Sequence, residues 1–448
     1  MRIPRRIFPL LLFLLLVFAL AAPAIAQRKP VSLIRDAEIE NTVKIFAKPL
    51  LDVAGIPAES VRIYIVNDDA LNAFVAGGMN LFIHTGLIQK AGGPNGLIGV
   101  LAHEIGHISG GHLVRAPEAL ENVRIEALIS YILGAAVMVA GQGQAGDAII
   151  ATGTSIVQSS LFRYSRAQEQ SADQAGVRFL DATGQSARGL LTTFEILKKQ
   201  ELLVSNRQSP YLRTHPLTDD RIEFIRSHLV TSRFTEVPAK PEYLALYDRM
   251  VAKLDGFLNP PGHTLKKYPE SDSSERASYA RAVAYHKLAD LPQALAELNS
   301  LLIAHPDDPY FHELKGQVLF EYGRIGDAIP AYERAVALLP DEPQLRIGLA
   351  QAQIETNDPA LNAVALGHLR RAVLSERTSA MAWRYLGIAY GRVGEFGQSS
   401  LALAEEALLR GNKADVLFHT QRAEQALPEG SPGWLRLQDV KRVAEDMN

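Results

Sequence analysis

The chain has 448 residues, 47% of them hydrophobic, enough for two or three domains. It contains no cysteine, so disulfides and thiolate ligands are excluded and any metal must be held by His, Asp or Glu. A formal net charge of −3, with no Lys/Arg cluster after the first six residues, disfavours nucleic-acid binding.

Arg2, Arg5 and Arg6 precede an almost unbroken apolar run over residues 7–22, and Ala24-Ile-Ala26 places small residues where a signal peptidase reads. The pattern predicts a signal peptide over residues 1–26, cleaved after Ala26, and export to the periplasm, where an unpaired thiol would be a liability. An uncleaved membrane anchor is the alternative.

Over residues 32–51, Leu33, Ile34, Ile39, Val43, Ile45, Phe46 and Leu50 recur at roughly helical spacing, which predicts a first helix packed on the domain. Residues 61–66 alternate and are β-branched, and residues 80–85 read as a second strand. Asn72-Ala-Phe-Val-Ala76 leads into a Gly77-Gly78 turn, so a small sheet is expected just ahead of the next helix. An extended peptide can add to an exposed edge strand through main-chain hydrogen bonds, which would hold a scissile bond in place. A purely structural sheet fits the pattern equally well. His84 reads as a half-buried polar residue rather than a ligand.

The chemistry concentrates in Val100-Leu-Ala-His-Glu-Ile-Gly-His107. Residues four apart share a helix face, so His103 and His107 can bind one ion together, and neutral imidazole suits Zn²⁺. Glu104, beside them, can accept a proton from an activated water. Gly110-Gly111 ends or bends the helix. His112, five positions past His107, is expected to point away from the pair even on a continuing helix, and to lie behind the ligands or at the surface.

Residues 127–140 and 148–161 are two apolar arms around a glycine- and glutamine-rich turn over 141–146. Each is short of the roughly 20 apolar residues that span a bilayer. They suit a buried helical hairpin, or a flap that touches membrane or a hydrophobic substrate. Tyr164-Ser-Arg-Ala-Gln-Glu169-Gln-Ser-Ala-Asp173 then reads as a helix with Glu169 and Asp173 on one face. Two histidines leave a catalytic zinc short of a third protein ligand, and Glu169 fits that need. Asp173, one turn on, can accept the free N–H of a ligating histidine and fix its tautomer. Arg166 is expected to pair with one of these acids.

His-Glu-x-x-His followed by Glu-x-x-Ala-Asp resembles the gluzincin metallopeptidases related to the heat-shock protease HtpX and the CAAX prenyl protease. Asn72-Ala-Phe-Val and Thr85-Gly-Leu-Ile are similar to that family's approach to the metal helix, and the resemblance covers residues 34–229. With the signal peptide and the carboxy-terminal region, the chain looks like the BepA-type periplasmic members. The resemblance implies that His103, His107 and Glu169 are the zinc ligands, that Glu104 is the general base, and that the clients are outer-membrane proteins under assembly. Thr214-His215-Pro-Leu-Thr218-Asp-Asp-Arg221-Ile also matches the family. Thr218 is the expected N-cap of a helix with Asp219 and Asp220 in its first turn. His215, on a proline-anchored loop, could steady an oxyanion, fill the open zinc position in a latent form, or be a structural turn residue. Arg221 is a candidate for charge stabilisation or a salt bridge.

Residues 231–241 and 259–272 are rich in proline, glycine and polar residues and bracket a helix over 244–258, which places a domain boundary near 260–273. Beyond it the chain repeats. Pro306 and Pro340 are 34 apart, the tetratricopeptide period, and Gly316, Tyr322, Gly323, Ala328, Tyr332 and Ala335 lie between them. An earlier copy holds Ala277, Ala282, Tyr285 and Ala294, and a later one Trp383, Gly387, Tyr390, Gly394 and Ala407. Residues 344–374 form a looser copy with an insertion around 357–362, and residues 413–448 a capping end.

The expected architecture is mainly α. A helical zincin-type metallopeptidase domain with a small β-sheet (27–258) is followed by a linker (259–273) and an α-solenoid of tetratricopeptide repeats (274–448). One Zn²⁺ per chain is expected, with Glu104 and His215 as the catalytic candidates. The expected activity is that of a periplasmic zinc endopeptidase that degrades misfolded or stalled outer-membrane proteins and assists their assembly. Its partners would be unfolded or misassembled envelope proteins, the outer-membrane assembly machinery reached through the repeats, and the membrane surface. A non-proteolytic periplasmic chaperone or scaffold acting through the repeats is the alternative.

Overall fold

A computed structural model describes residues 32–112, 164–203 and 210–445. The expected signal peptide and apolar arms lie outside these residues.

Four short strands open the structure: β1 (Leu33–Ile34), β2 (Arg62–Val66), β3 (Ala73–Ala76) and β4 (Asn80–His84), in the order β1-β2-β4-β3. β2 and β4 run parallel, and β1 and β3 are antiparallel to their neighbours. The β3–β4 turn uses Gly77 and Gly78 at φ 58° and 92°, where a side chain would be strained. Leu33 and Ile34 form an edge strand rather than the start of a helix. The Asp36 side chain accepts the Ile39 N–H and so fixes the start of helix α1 (Ala37–Ala54), leaving Leu33 and Ile34 to pair with Val66 and Ile65.

Helices α2 (Thr85–Lys90) and α3 (Pro94–Ser109) follow, and α3 runs through the middle of the core, buried at nearly every position. Two glycines let it do so. A Cβ at Gly99 would sit 2.7 Å from the Leu190 nitrogen, and one at Gly106 would sit 2.6 Å from the Ala172 carbonyl oxygen. Helix α4 (Arg166–Ala182) and helix α5 (Arg188–Leu203) therefore pack backbone to backbone on α3. A capping box between Ser165 and Gln168 starts α4. Helices α6 (Pro210–Thr214), α7 (Asp219–Thr231, capped by Thr218), α8 (Pro241–Leu258) and α9 (Pro261–Lys267) complete this half. Residues 259–273 thus hold a helix, and Thr264, Lys267 and Tyr268 all bond back to Asp255 of α8.

The second half is a stack of antiparallel helix pairs: α10 (Glu275–Lys287) with α11 (Leu291–Ala304), α12 (Pro309–Glu321) with α13 (Ile325–Leu338), and α14 (Pro343–Glu355) with α15 (Pro359–Ser375). Then come α16 (Ala380–Arg392) with α17 (Phe396–Leu409), and α18 (Lys413–Ala426) with α19 (Pro432–Glu445). The small residues of the repeat pattern sit at helix crossings: a Cβ at Gly316 would lie 2.8 Å from the Tyr332 ring. The mainly helical class, the small sheet and the repeat solenoid are all as the sequence predicts.

The two halves meet through buried charge. Lys253 of α8 lies 2.7 Å from Asp36, 3.4 Å from Glu38 and 3.8 Å from Glu313 of α12. Arg249 bonds Glu38 at 2.8 Å and Asp308 at 3.0 Å, and Tyr279 donates to Glu38 at 2.5 Å. Carboxylates outnumber cations here. Burial pushes the Glu313 carboxyl up to about 7; Lys253 opposes the shift and Asp36 and Glu38 add to it. The folded chain thus holds this proton more tightly than the unfolded one, and the resulting stability fades as pH rises through about 7. Thermal melts from about pH 5 to pH 8 should show Tm falling less steeply for Glu313→Gln than for the native chain.

Candidate metal centre

Helix α3 places His103, Glu104 and His107 on its buried side, all with no exposed surface. The Nε2 atoms of His103 and His107 are 3.1 Å apart. Glu169 of α4 comes within 3.5 Å of His103 Nε2 and 3.4 Å of His107 Nε2. His215, between α6 and α7, brings Nδ1 to 3.1 Å from Glu169 and Nε2 to 3.6 Å from Glu104. One donor atom from each of His103, His107, Glu169 and His215 lies within 4.8 Å of every other. Donors on a tetrahedral zinc, each roughly 2.0–2.1 Å from the ion, are about 3.3 Å apart, so these spacings suit a zinc ion. Both oxygens of Glu104 are buried without a hydrogen-bond partner among the described residues, a costly arrangement unless a cation stands nearby. The donor set therefore fits zinc.

The surrounding acids are held ionised. Arg221 of α7 donates to Asp173 from Nε at 2.6 Å and Nη2 at 2.9 Å, and its Nη1 lies 2.5 Å from Glu169. Burial alone would raise both carboxyls. His215 and Arg221 bring Glu169 well below the usual range, and Arg221 lowers Asp173. Asp173 stands 2.8 Å from His103 Nδ1, the position that fixes a ligand's tautomer. Burial raises Glu104 above an ordinary glutamate, which brings its proton affinity nearer to that of a base working at neutral pH.

Three expectations differ from what is observed. Arg166 is exposed at the start of α4 and pairs with neither acid; Arg221 takes that place from a helix remote in sequence. His84 is fully buried rather than half-buried; Asn72 lies 3.3 Å from its Nε2, and it is not part of the donor cluster. His112 does not point away. The helix stops at Ser109, and Gly111 at φ 65° turns the chain back, so the His112 ring lies 5.4 Å from that of His107. Two aromatic residues were not singled out from the sequence. Tyr164 stacks on His107 with centroids 3.7 Å apart, and Tyr211 stacks on His215 at 4.6 Å. Tyr211, four residues before His215, also accepts its N–H at 2.7 Å, so helical spacing was the available signal.

Residues 34–229 match the peptidase M48 family, and residues 279–343 and 313–367 match tetratricopeptide repeats. Residues 34–229 are an M48 peptidase domain. The chain is 26% identical over 410 residues to the beta-barrel assembly-enhancing protease of Yersinia pestis, covering 90% of this chain and 83% of that one. It is 23% identical over 404 residues to the Escherichia coli protein of the same name, covering 89% and 81%. Metalloprotease LoiP of E. coli is 27% identical over 191 residues, 41% of this chain and 71% of that one. The M48 domain makes the chain a zinc metalloprotease.

Arg221→Met would leave Asp173 and Glu169 buried without their guanidinium. Removing one member of a buried charge group typically costs about 3–5 kcal/mol. Chemical denaturation should show a loss of this order, and metal analysis should find less than one zinc per chain.

Proposed function

We propose that the chain is an envelope endopeptidase in which His103, His107 and Glu169 hold the zinc and Glu104 is the general base. The observation that carries this reading is the fully buried Glu104 carboxylate, which has no hydrogen-bond partner among the described residues, beside donors spaced for a tetrahedral ion. Zinc, when bound, supplies a Lewis acid that polarises the scissile carbonyl and activates water. Glu104 takes the proton of the attacking water and returns it to the leaving amine. Asp173 keeps His103 oriented, and Arg221 keeps Asp173 and Glu169 charged.

His215 completes a set of four protein donors. Catalytic zinc sites keep one position open, so a fourth donor suits a latent form that substrate or a partner must open. The relatives named above support outer-membrane proteins under assembly as the clients, with misfolded or stalled ones degraded. The basic, apolar and small-residue pattern of residues 1–26 supports a periplasmic location. Among the described residues no helix is long and apolar enough to cross a membrane. The solenoid would hold an unfolded client or dock the enzyme on the assembly machinery. The chain would bind the client segment as an added strand at β3, the sheet end that Tyr164 links to His107.

Casein cleavage by Glu104→Gln should fall about 10²- to 10⁴-fold. Equal turnover in the two chains would remove the peptidase reading and leave a chaperone acting through the repeats. His215→Ala is expected to raise basal cleavage, and unchanged cleavage would deny His215 a latent role.

A further inference from the structure

β3 ends the sheet, and the bond from the His84 N–H to the Asn72 carbonyl, at 3.0 Å, fixes the phase of its ladder with β4. In that phase Phe74 and Ala76 exchange bonds with β4, while Ala73 and Val75 turn their N–H and C=O groups away from it. The outward carbonyl of Val75 is taken: the Tyr164 hydroxyl donates to it at 3.1 Å. The Val75 N–H has no partner among the described residues. The Tyr164 ring lies flat on the His107 imidazole, tilted by 22°, and its centroid is 4.9 Å from that of His215. Only 4% of the residue is exposed. Its phenol therefore bridges the outer, buried edge of β3, the face of His107 and, at a tilt, the ring of His215.

We propose that Tyr164 is a displaceable plug, whose hydroxyl occupies the edge carbonyl that the backbone of an extended substrate segment must use. The inference rests on the reading of β3 as the strand to which substrate adds. A segment paired with Val75 accepts from its N–H and donates to its C=O. The phenol supplies the second of these bonds from the protein itself. A substrate amide that replaces it exchanges one hydrogen bond for another and must also lift the ring from His107. A segment that offers several consecutive free amides in extended form can do this. One interrupted by proline at the pairing position cannot, because it has no N–H to offer. Tyr164 is thus a specificity-determining residue for extended, strand-forming polypeptide.

The test compares Glu104→Gln with Glu104→Gln/Tyr164→Phe, both loaded with zinc, by fluorescence anisotropy. The probe is a labelled decapeptide of alternating valine and threonine with lysine ends. Loss of one competing hydrogen bond should lower Kd about three- to ten-fold. Tyr164→Leu, which also lacks the hydroxyl, should shift Kd in the same direction. With Glu104 intact, Tyr164→Phe should lower KM for the cleaved substrate by more than it changes kcat. An N-methyl group on the one peptide amide that pairs with Val75 should cancel the gain. An unchanged or higher Kd with zinc retained overturns the proposal. Loss of zinc in both Tyr164 variants also overturns it, by assigning the ring to support of the metal site. A native chain with no Glu104-dependent cleavage would instead remove the peptidase reading on which the proposal stands.

Discussion

Charge taken out of water has to be neutralised where it lies, and the M48 domain is arranged around that requirement. Glu104, Glu169 and Asp173 are buried together with His103, His107, His215 and Arg221, each at most 2% exposed. One guanidinium reaches two of the carboxylates, and the remaining donors converge where a divalent ion fits. This cluster can form only if α3, α4 and α7 approach one another closely. Glycine at 106 removes the Cβ that would hold α4 off α3. The Thr218 cap starts α7 so that Arg221, three residues on, points its side chain inward to Asp173. Backbone contact, cap and charge compensation are one constraint seen at three levels.

The same rule governs the junction of the two halves. Helix α1 has two roles along its length. Its first turn presents Glu38 to Arg249, Lys253 and Tyr279 beside the solenoid, while Val43, Phe46 and Leu50 further along enter the core around α3. A helix held by ion pairs at one end and by apolar packing at the other adds direction to the apolar seam that Ala252 and Tyr268 form with Ala277, Tyr279 and Val283. Hydrogen-bonded ion pairs are directional, so they set an orientation as well as a distance. The bonds of Asn41 to Tyr310 and Glu342 extend the same seam along α1.

What could be read from the sequence follows how local the physics is. His103 and His107 share a face because four residues make about one turn, and Glu169 with Asp173 follows the same rule on a second helix. The repeat period in the carboxy-terminal half is likewise a local spacing. Residues whose position depends on distant partners could not be read in this way. Arg166 is near the acids in sequence but sits at the helix start and faces solvent, whereas Arg221 arrives from 48 residues beyond Asp173. The approach of His112 to His107 depends on the left-handed Gly111, whose turn direction the glycine pair alone does not specify. Leu33 and Ile34 carry a helical pattern, yet Asp36 caps the helix after them and β2 offers an edge. Tyr164 gives no sequence signal for its hydroxyl, because its acceptor is a backbone carbonyl on a strand 89 positions earlier.

A centre whose donors have no exposed surface has to be opened by a client or by a partner, and strand addition at β3, as proposed, would let the client do it. The free energy for opening comes from contacts that only a suitable substrate can make. Along a strand edge those contacts are main-chain hydrogen bonds, each worth only about 0.5–1.5 kcal/mol net. Several in succession are needed to displace a stacked ring, an edge hydrogen bond and a fourth donor at the metal. A folded protein has already committed its amides to its own sheets and helices and cannot offer such a run. An unfolded β-strand sequence can. On this argument, selection for unassembled strands needs no recognition of side chains; it follows from how many consecutive backbone bonds it takes to uncover Glu104.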